Sequence, residues 1–336
     1  MATTTKEPPS AGAAKTPRPP KKERDVQGSG RLSALLLSPT IMVLALVVGY
    51  PVIAAFRESL YKRGEVLDAQ GFIVESERFV GLDNYTAIFS GENADAFWNA
   101  FYNTTFFLVV TVSLETVIGV AMALIMHQAL RGRAFVRASI LVPWAIPTAI
   151  SGLLWRWIFQ TDGVANAIIG RQILWTTDGF HAKLGIIVAE TWKTAPFIGL
   201  LVLAGLQMIP REVYEAAKVD GASAFEQFRR ITLPLVKPAL LVAVLFRMLD
   251  ALRMFDLPFV LIGPNKDSVE TLTMIAWQEA NNLRYGPAAA YATVLFVYIA
   301  VLAYLFVKLL GADVIGEARQ QRKPSAKRKK LGKVSA

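Results

Sequence analysis

The sequence predicts an all-α polytopic membrane protein with six transmembrane helices, and three observations carry that prediction. Of its 336 residues 54% are hydrophobic and the mean hydropathy is +0.40, more apolar than an ordinary soluble domain. Six apolar runs reach the ~20 residues that cross a bilayer. The Lys and Arg residues behind the formal net charge of +10 gather in the two tails and in short connections between apolar runs. That distribution orients a membrane protein and argues against a nucleic-acid partner.

Taken in order, residues 1–31, rich in Pro, Ala, Thr and Lys, read as a disordered basic cytoplasmic tail without a clear cleavable signal. The first span runs from Leu32 to Phe56, where Pro39 and Pro51 bend the helix without barring it from the membrane. A polar external loop, about 57–99, precedes a second span from Phe101 to Met126. Arg131, Arg133 and Arg137 follow closely and mark the cytoplasmic side. The third span, Ala138 to Phe159, contains Pro143, Trp144, Pro147 and Trp155; the fourth, Leu184 to Met208, is interrupted near its start by Glu190, Trp192, Lys193 and Pro196. A fifth span from Leu235 to Ile262, an outer loop from Gly263 to Arg284 and a sixth span from Gly286 to Leu310 complete a membrane domain at 32–312, ahead of a basic cytoplasmic tail at 313–336. An even number of spans leaves both termini in the cytoplasm. The Asn103-Thr104-Thr105 sequon sits at a membrane boundary, where chance explains it best.

Between the fourth and fifth spans a charged segment, about 211–234, reads as a short helix, a turn at Gly221 and a second short helix ended by Pro234. Small Ala216 and Ala217 would let another surface approach closely. The product is a compact knob at the membrane surface.

The fifth span is unusual because it holds Arg247, Asp250, Arg253 and Asp256. A charge at the middle of a membrane helix costs about 2.5–3.5 kcal/mol on insertion scales, so these groups should face partners or water. Three-residue steps turn a helix by about 300°, which makes the four a slowly winding stripe. One reading is an ion ladder that only holds the bundle together. The other is a polar site for a hydroxyl-rich solute, with Asp250 and Arg253 bonding hydroxyls and Trp144, Trp155, Trp192 and Phe197 offering ring faces.

The spacing EAA, three residues, G, nine residues, I, any residue, LP is met by Glu215, Ala216, Ala217, Gly221, Ile231 and Pro234, with Asp220 inside it. It resembles the cytoplasmic coupling loop of permeases in binding-protein-dependent ABC importers. FVGLDNYTAIF and LVPWAIP are similar to the sugar-permease branch of that family, and AETWKTAPF, VDGASA and LFRMLDALRMFD to its trehalose-importing members in mycobacteria. The resemblance implies the type I importer permease fold in the cell (inner) membrane. It also implies a second homologous permease, an ATPase dimer docked on the coupling segment, and an extracytoplasmic sugar-binding protein or lipoprotein. Carried over from maltose-type permeases, the sugar contacts fall on Thr148, Lys193, Thr194, Phe197, Phe246, Asp250 and Arg253, and Trp192 joins them as a candidate ring face. Residue types differ at most of these positions, and Gly263-Pro264-Asn265 stands where the family often has a longer glycine-rich string.

Trehalose is the expected solute, with maltose or another oligosaccharide as the alternative. The chain has no Gly-x-x-x-x-Gly-Lys-Ser/Thr string, so ATP and Mg belong to the partner ATPase and no cofactor is expected on this chain, which is not itself an enzyme. With no cysteine and only His127 and His181, neither disulfides nor a local metal motif are expected. An ion-coupled transporter using Asp250 and Asp256 leaves the coupling segment without a role, and a membrane-embedded hydrolase lacks a Ser-His signature.

Overall fold

The computed structural model describes residues 29–67, 73–128, 131–177 and 179–310. Most of both tails lies outside them; Ser29 to Arg31 are already helical. The chain divides into residues 1–52 and 53–336. Helix α1 (Ser29–Leu44) leads through a π-turn, Ala45–Gly49, into α2 (Tyr50–Glu58). The π-turn ends just before Pro51, whose ring nitrogen has no proton to donate, and the wider turn takes up that mismatch.

The expected external loop is structured. Strands β1 (Tyr61–Leu67) and β2 (Ile73–Phe79) form an antiparallel hairpin with Tyr61 opposite Phe79. Helix α3 (Asp83–Ser90) follows, and Asn84 donates to the carbonyls of Ser59 at 2.8 Å and Tyr61 at 3.0 Å. Gly286 lies against the Tyr61 carbonyl so closely that any Cβ there would clash, which fixes a glycine at that position.

Helix α4 (Ala94–His127) begins seven residues before the expected second span. Its extra turns stack on α3 through apolar side chains, with the Phe97 and Phe89 rings 5.0 Å apart. Helices α5 (Arg133–Ala145), α6 (Thr148–Ile158) and α7 (Val164–Ile169) lead to α8 (Gly179–Gln207), and then to α9 (Arg211–Val219) and α10 (Ala224–Gln227). After a second π-turn, Phe228–Thr232, come α11 (Leu233–Ala251), α12 (Asp256–Leu261), α13 (Leu272–Asn281) and α14 (Tyr285–Leu310). Among the described residues five helices are long and apolar enough to cross a membrane, or six if α5 and α6 count as one bent span.

Four expectations need correction. The third span is not one helix: α5 and α6 meet at 95° around Ile146 and Pro147, because the residue before proline is driven from helical to extended backbone. The fifth span is not one helix either, since α11 stops at Ala251 and a turn separates it from α12. Arg247, Asp250, Arg253 and Asp256 therefore do not form a continuous helical stripe. At the other end of α11, Pro234 does not close a separate short helix; the π-turn just before it takes up its missing N–H, and the helix is continuous from Ala224 to Ala251. Conversely, the polar residues near the start of the fourth span do not break α8, which runs unbroken through Glu190 and Pro196.

The core is built on α4 against α8. Gly119 and Gly199 let the two backbones meet: a Cβ on Gly119 would stand 2.8 Å from Ile198 Cβ, and one on Gly199 would stand 3.2 Å from the Gly119 carbonyl, the small-residue contact expected of membrane helices. One apolar cluster, including Phe107, Ile186 and Leu257, joins α4 and α8 to α12; another, including Met126, Leu206 and Val236, joins them to α11. The sequon asparagine is fully buried, and its Nδ2 donates to the carbonyls of Asp267 at 2.7 Å and Glu270 at 3.0 Å. It anchors the segment after α12 and is closed to glycosylation.

Candidate functional site

Two helix breaks face the polar stretch of α8. At the first, Ile146 (ψ 133°) and Pro147 (ψ 141°) are extended, and Lys193 of α8 donates from Nζ to the Ile146 carbonyl at 2.9 Å. At the second, the Arg253 N–H still bonds the Asp250 carbonyl at 3.0 Å, but Phe255 (φ −134°) has left the helix. Thr271 Oγ1 donates to the Met254 carbonyl at 3.0 Å, satisfying backbone that the break exposes. Beyond the breaks α6 and α12 pack on each other, with Gly152 set close against Val260.

Between the breaks lie two adjoining hollows of about 140 and 310 Å³. Thr148, Lys193 and Asp256 border the first, Phe197, Phe246 and Arg247 the second, and Trp144, Thr194, Asp250 and Arg253 border both. Seven of the eight residues named as sugar contacts thus converge on one cleft. The eighth, Trp192, does not border it: its ring packs edge-on against Trp155, 5.6 Å between centroids. Trp155 continues into Phe159, so these rings belong to the packing around α8. The aromatic faces at the cleft are Trp144, which lies 5.9 Å from Phe197, and the exposed ring of Phe246.

The electrostatic centre is Arg247, whose side chain is 2% exposed. Its Nε and Nη2 donate to the two oxygens of Glu115 at 2.5 and 3.2 Å, Nη2 also to Glu190 at 2.5 Å, and Nη1 to Asp250 at 2.7 Å. One guanidinium thus holds carboxylates from α4 and α8 and from its own helix. The sequence signalled Asp250, one helical step from Arg247, but gave Glu115 no distinction; a lone carboxylate in the apolar second span was the available clue. Glu115 and Glu190 are buried, whereas the Asp250 side chain is 64% exposed toward the cleft. Arg253 is exposed and forms no ion pair among the described residues; its Nε donates to the Leu249 carbonyl at 3.3 Å. The ladder reading therefore holds for Arg247 with Asp250 and fails for Arg253. An exposed carboxylate, an exposed guanidinium and aromatic faces are a set that can bond hydroxyls and stack on a ring. Neither histidine borders the cleft: His127 ends α4 and His181 stands beside Trp175.

The segment after α8 forms a helical hairpin. Helix α9 closes with Gly221 at φ +80°, the Gly221 N–H bonding the Lys218 carbonyl at 3.1 Å and the Ala222 N–H the Ala217 carbonyl at 2.9 Å. This glycine-closed helix end needs left-handed backbone at Gly221. Ser223 and Glu226 then cap α10 reciprocally, and the Tyr214 hydroxyl meets Thr232 Oγ1 at 3.1 Å, tying the two limbs together. Glu215, Ala216 and Asp220 are exposed and Ile231 and Pro234 at least partly so, but Ala217 is buried. Ala217 thus packs inside the hairpin, contrary to the expectation that it meets an approaching surface. The most exposed large apolar groups of the hairpin are Val219 and Phe225.

The family model described as binding-protein-dependent transport system inner membrane component matches residues 115–316. The chain is 37% identical over 285 residues to the trehalose/maltose transport system permease protein MalF of Thermococcus litoralis, covering 83% of this chain and 93% of that one. It is 34% identical over 296 residues to the trehalose transport system permease protein SugA of Mycobacterium tuberculosis, covering 85% and 91%. A chain in the crystal structure of a bacterial ABC transporter involved in the import of the acidic polysaccharide alginate superposes with a TM-score of 0.69, at 21% identity and over 85% and 96% of the two chains. That likeness is one of fold.

Removing the guanidinium should expose the cost of the buried carboxylates. Arg247→Met is expected to destabilise the fold by about 3–5 kcal/mol, because it leaves buried charges without a partner. The triple change that also neutralises Glu115 and Glu190 to Gln should recover much of that loss. Thermal unfolding of the purified variants decides it, and a triple variant as unstable as Arg247→Met would count against the network.

Proposed function

Because the chain belongs to the family of binding-protein-dependent transport system inner membrane components, we propose that it is the permease subunit of an ATP-driven importer for a disaccharide, trehalose first and maltose-type sugars next. The observation that carries this is the exposed pair Asp250 and Arg253 at the end of α11, set in a cleft with Trp144 and Phe246. Hydroxyls of a sugar bond the charged groups, and the apolar face of a pyranose covers the rings. The names of the two similar permeases support trehalose and maltose as the solutes. Thr148, Lys193, Thr194 and Phe197 complete the contact set, and Trp192 acts through packing on Trp155.

In this reading the hairpin of α9 and α10 docks on a separate ATPase dimer, which binds ATP and Mg. A second permease completes the path and an extracytoplasmic binding protein delivers the sugar. Both termini and the hairpin lie in the cytoplasm, supported by Arg131, Arg133, Arg137, Arg211, Arg229 and Arg230 at that end.

Asp250→Asn and Arg253→Gln should each lower trehalose uptake by reconstituted complexes at least ~tenfold, the order expected when a buried polar contact to substrate is lost, with assembly and basal ATP hydrolysis retained. Uptake at the wild-type rate in either variant removes that residue from the site. Gly221→Pro should instead uncouple the subunits. Proline cannot adopt the left-handed backbone found there, so the ATPase should dissociate or lose its response to sugar; full sugar-stimulated hydrolysis would sink the coupling role. Orientation is checked by cysteines introduced singly: one at Glu92 should react with an impermeant maleimide on intact cells, and one at Val219 only after permeabilisation.

A further inference from the structure

At the end of the molecule that carries the hairpin lies a further hollow, of about 740 Å³. His127 at the end of α4, Arg133 and Arg137 of α5, and Arg211, Glu212 and Tyr214 of α9 border it. Three guanidinium groups face one carboxylate, and none of the three pairs with a carboxylate among the described residues. Arg137 donates from Nε and Nη2 to the Met126 carbonyl at 3.1 and 2.9 Å, covering an acceptor at the negative end of α4. Helices α5 and α9 both begin at this hollow, at Arg133 and Arg211, and the residues before them, Gly132 and Pro210, supply no capping side chain. Their first N–H groups thus add positive ends to a wall that is already cationic.

We propose that this hollow is a binding site for a phosphate group, held by Arg133 and Arg211 across the start of α5 and the start of α9. Guanidinium forks match phosphate oxygens in pairs. The hollow lies where α4 and α8, two of the helices long and apolar enough to cross a membrane, end, so the phosphate comes from an acidic phospholipid or from a soluble phosphate. Because α9 also carries Glu215 and Ala216, an occupant would tie the hairpin to α5 and restrain its movement. The site owes nothing to which solute is transported.

The test uses the whole importer complex in nanodiscs of phosphatidylcholine, of phosphatidylcholine with phosphatidylglycerol, and of phosphatidylcholine with inorganic phosphate in the buffer. The readouts are the unfolding midpoint and the lipid retained in native mass spectrometry. At least one anion should raise the wild-type midpoint by a few degrees. R133Q and R211Q should each lose most of that rise, and K308Q, equal in charge but outside the hollow, should keep it. A rise with phosphatidylglycerol alone, with that lipid retained, identifies a headgroup; a rise with inorganic phosphate identifies a soluble ligand. The proposal falls if neither anion shifts the wild type, if R133Q and R211Q keep the full shift, or if K308Q loses as much as they do. Both arginines are exposed at helix starts, so the single variants should assemble; if one does not, the lysine variant at that position, which keeps the charge but not the fork, should keep only part of the shift, and a full shift there overturns the proposal.

Discussion

The arrangement of the bundle depends on one buried cation. Arg247 stands between α4, α8 and α11 and bonds a carboxylate from each, with Asp250 supplied by its own helix. Bringing such charges out of water costs several kcal/mol per ion, and the cost is met only when every partner is in place with good geometry. The network therefore penalises any slip of α4 or α8 along α11. The glycine contact at Gly119 and Gly199 brings α4 and α8 close enough for both carboxylates to reach the same guanidinium.

The same network reaches the cleft. Asp250 has one foot in it, through the Arg247 bond of 2.7 Å, and the other in the open hollow. Lys193, three residues after Glu190 on α8, holds the carbonyl of Ile146 at the break between α5 and α6. A residue of the cleft is thus fixed by the buried ions on one side, and the helix break that borders the cleft is fixed by the same stretch of α8 on the other. A solute entering here meets groups already oriented by the fold, which lowers the ordering cost of binding.

Continuity between α10 and α11 joins the hairpin to the cleft. The helix from Ala224 to Ala251 is 28 residues long, about 42 Å at 1.5 Å per residue. It starts in the hairpin and ends beside Asp250. Had Pro234 ended a separate helix, the hairpin would hang on a joint; instead a π-turn absorbs the proline and a stiff rod links the proposed ATPase contact to the proposed sugar contact.

Much of this was legible in the sequence, because it follows from local composition. Runs of apolar residues fixed where helices cross, basic clusters marked one end, and the EAA-to-LP spacing marked the hairpin, whose turn follows from a glycine at residue 221. Asp250 and Arg253 stood out because charge is costly in any membrane helix. What local pattern cannot hold is the partner. Glu115 lies 132 residues from Arg247 and Glu190 57 residues away, and only packing of α4 and α8 selects them. Packing likewise turned Trp192 onto Trp155 and Ala217 into the hairpin, and ended α11 before the charged stripe was complete. The sequence by itself determined which segments enter the membrane and which groups are too polar to face lipid. The tertiary structure decided which of those groups neutralise one another and which stay open to a ligand, because a buried charge is satisfied by whatever the neighbouring helices bring within hydrogen-bond reach.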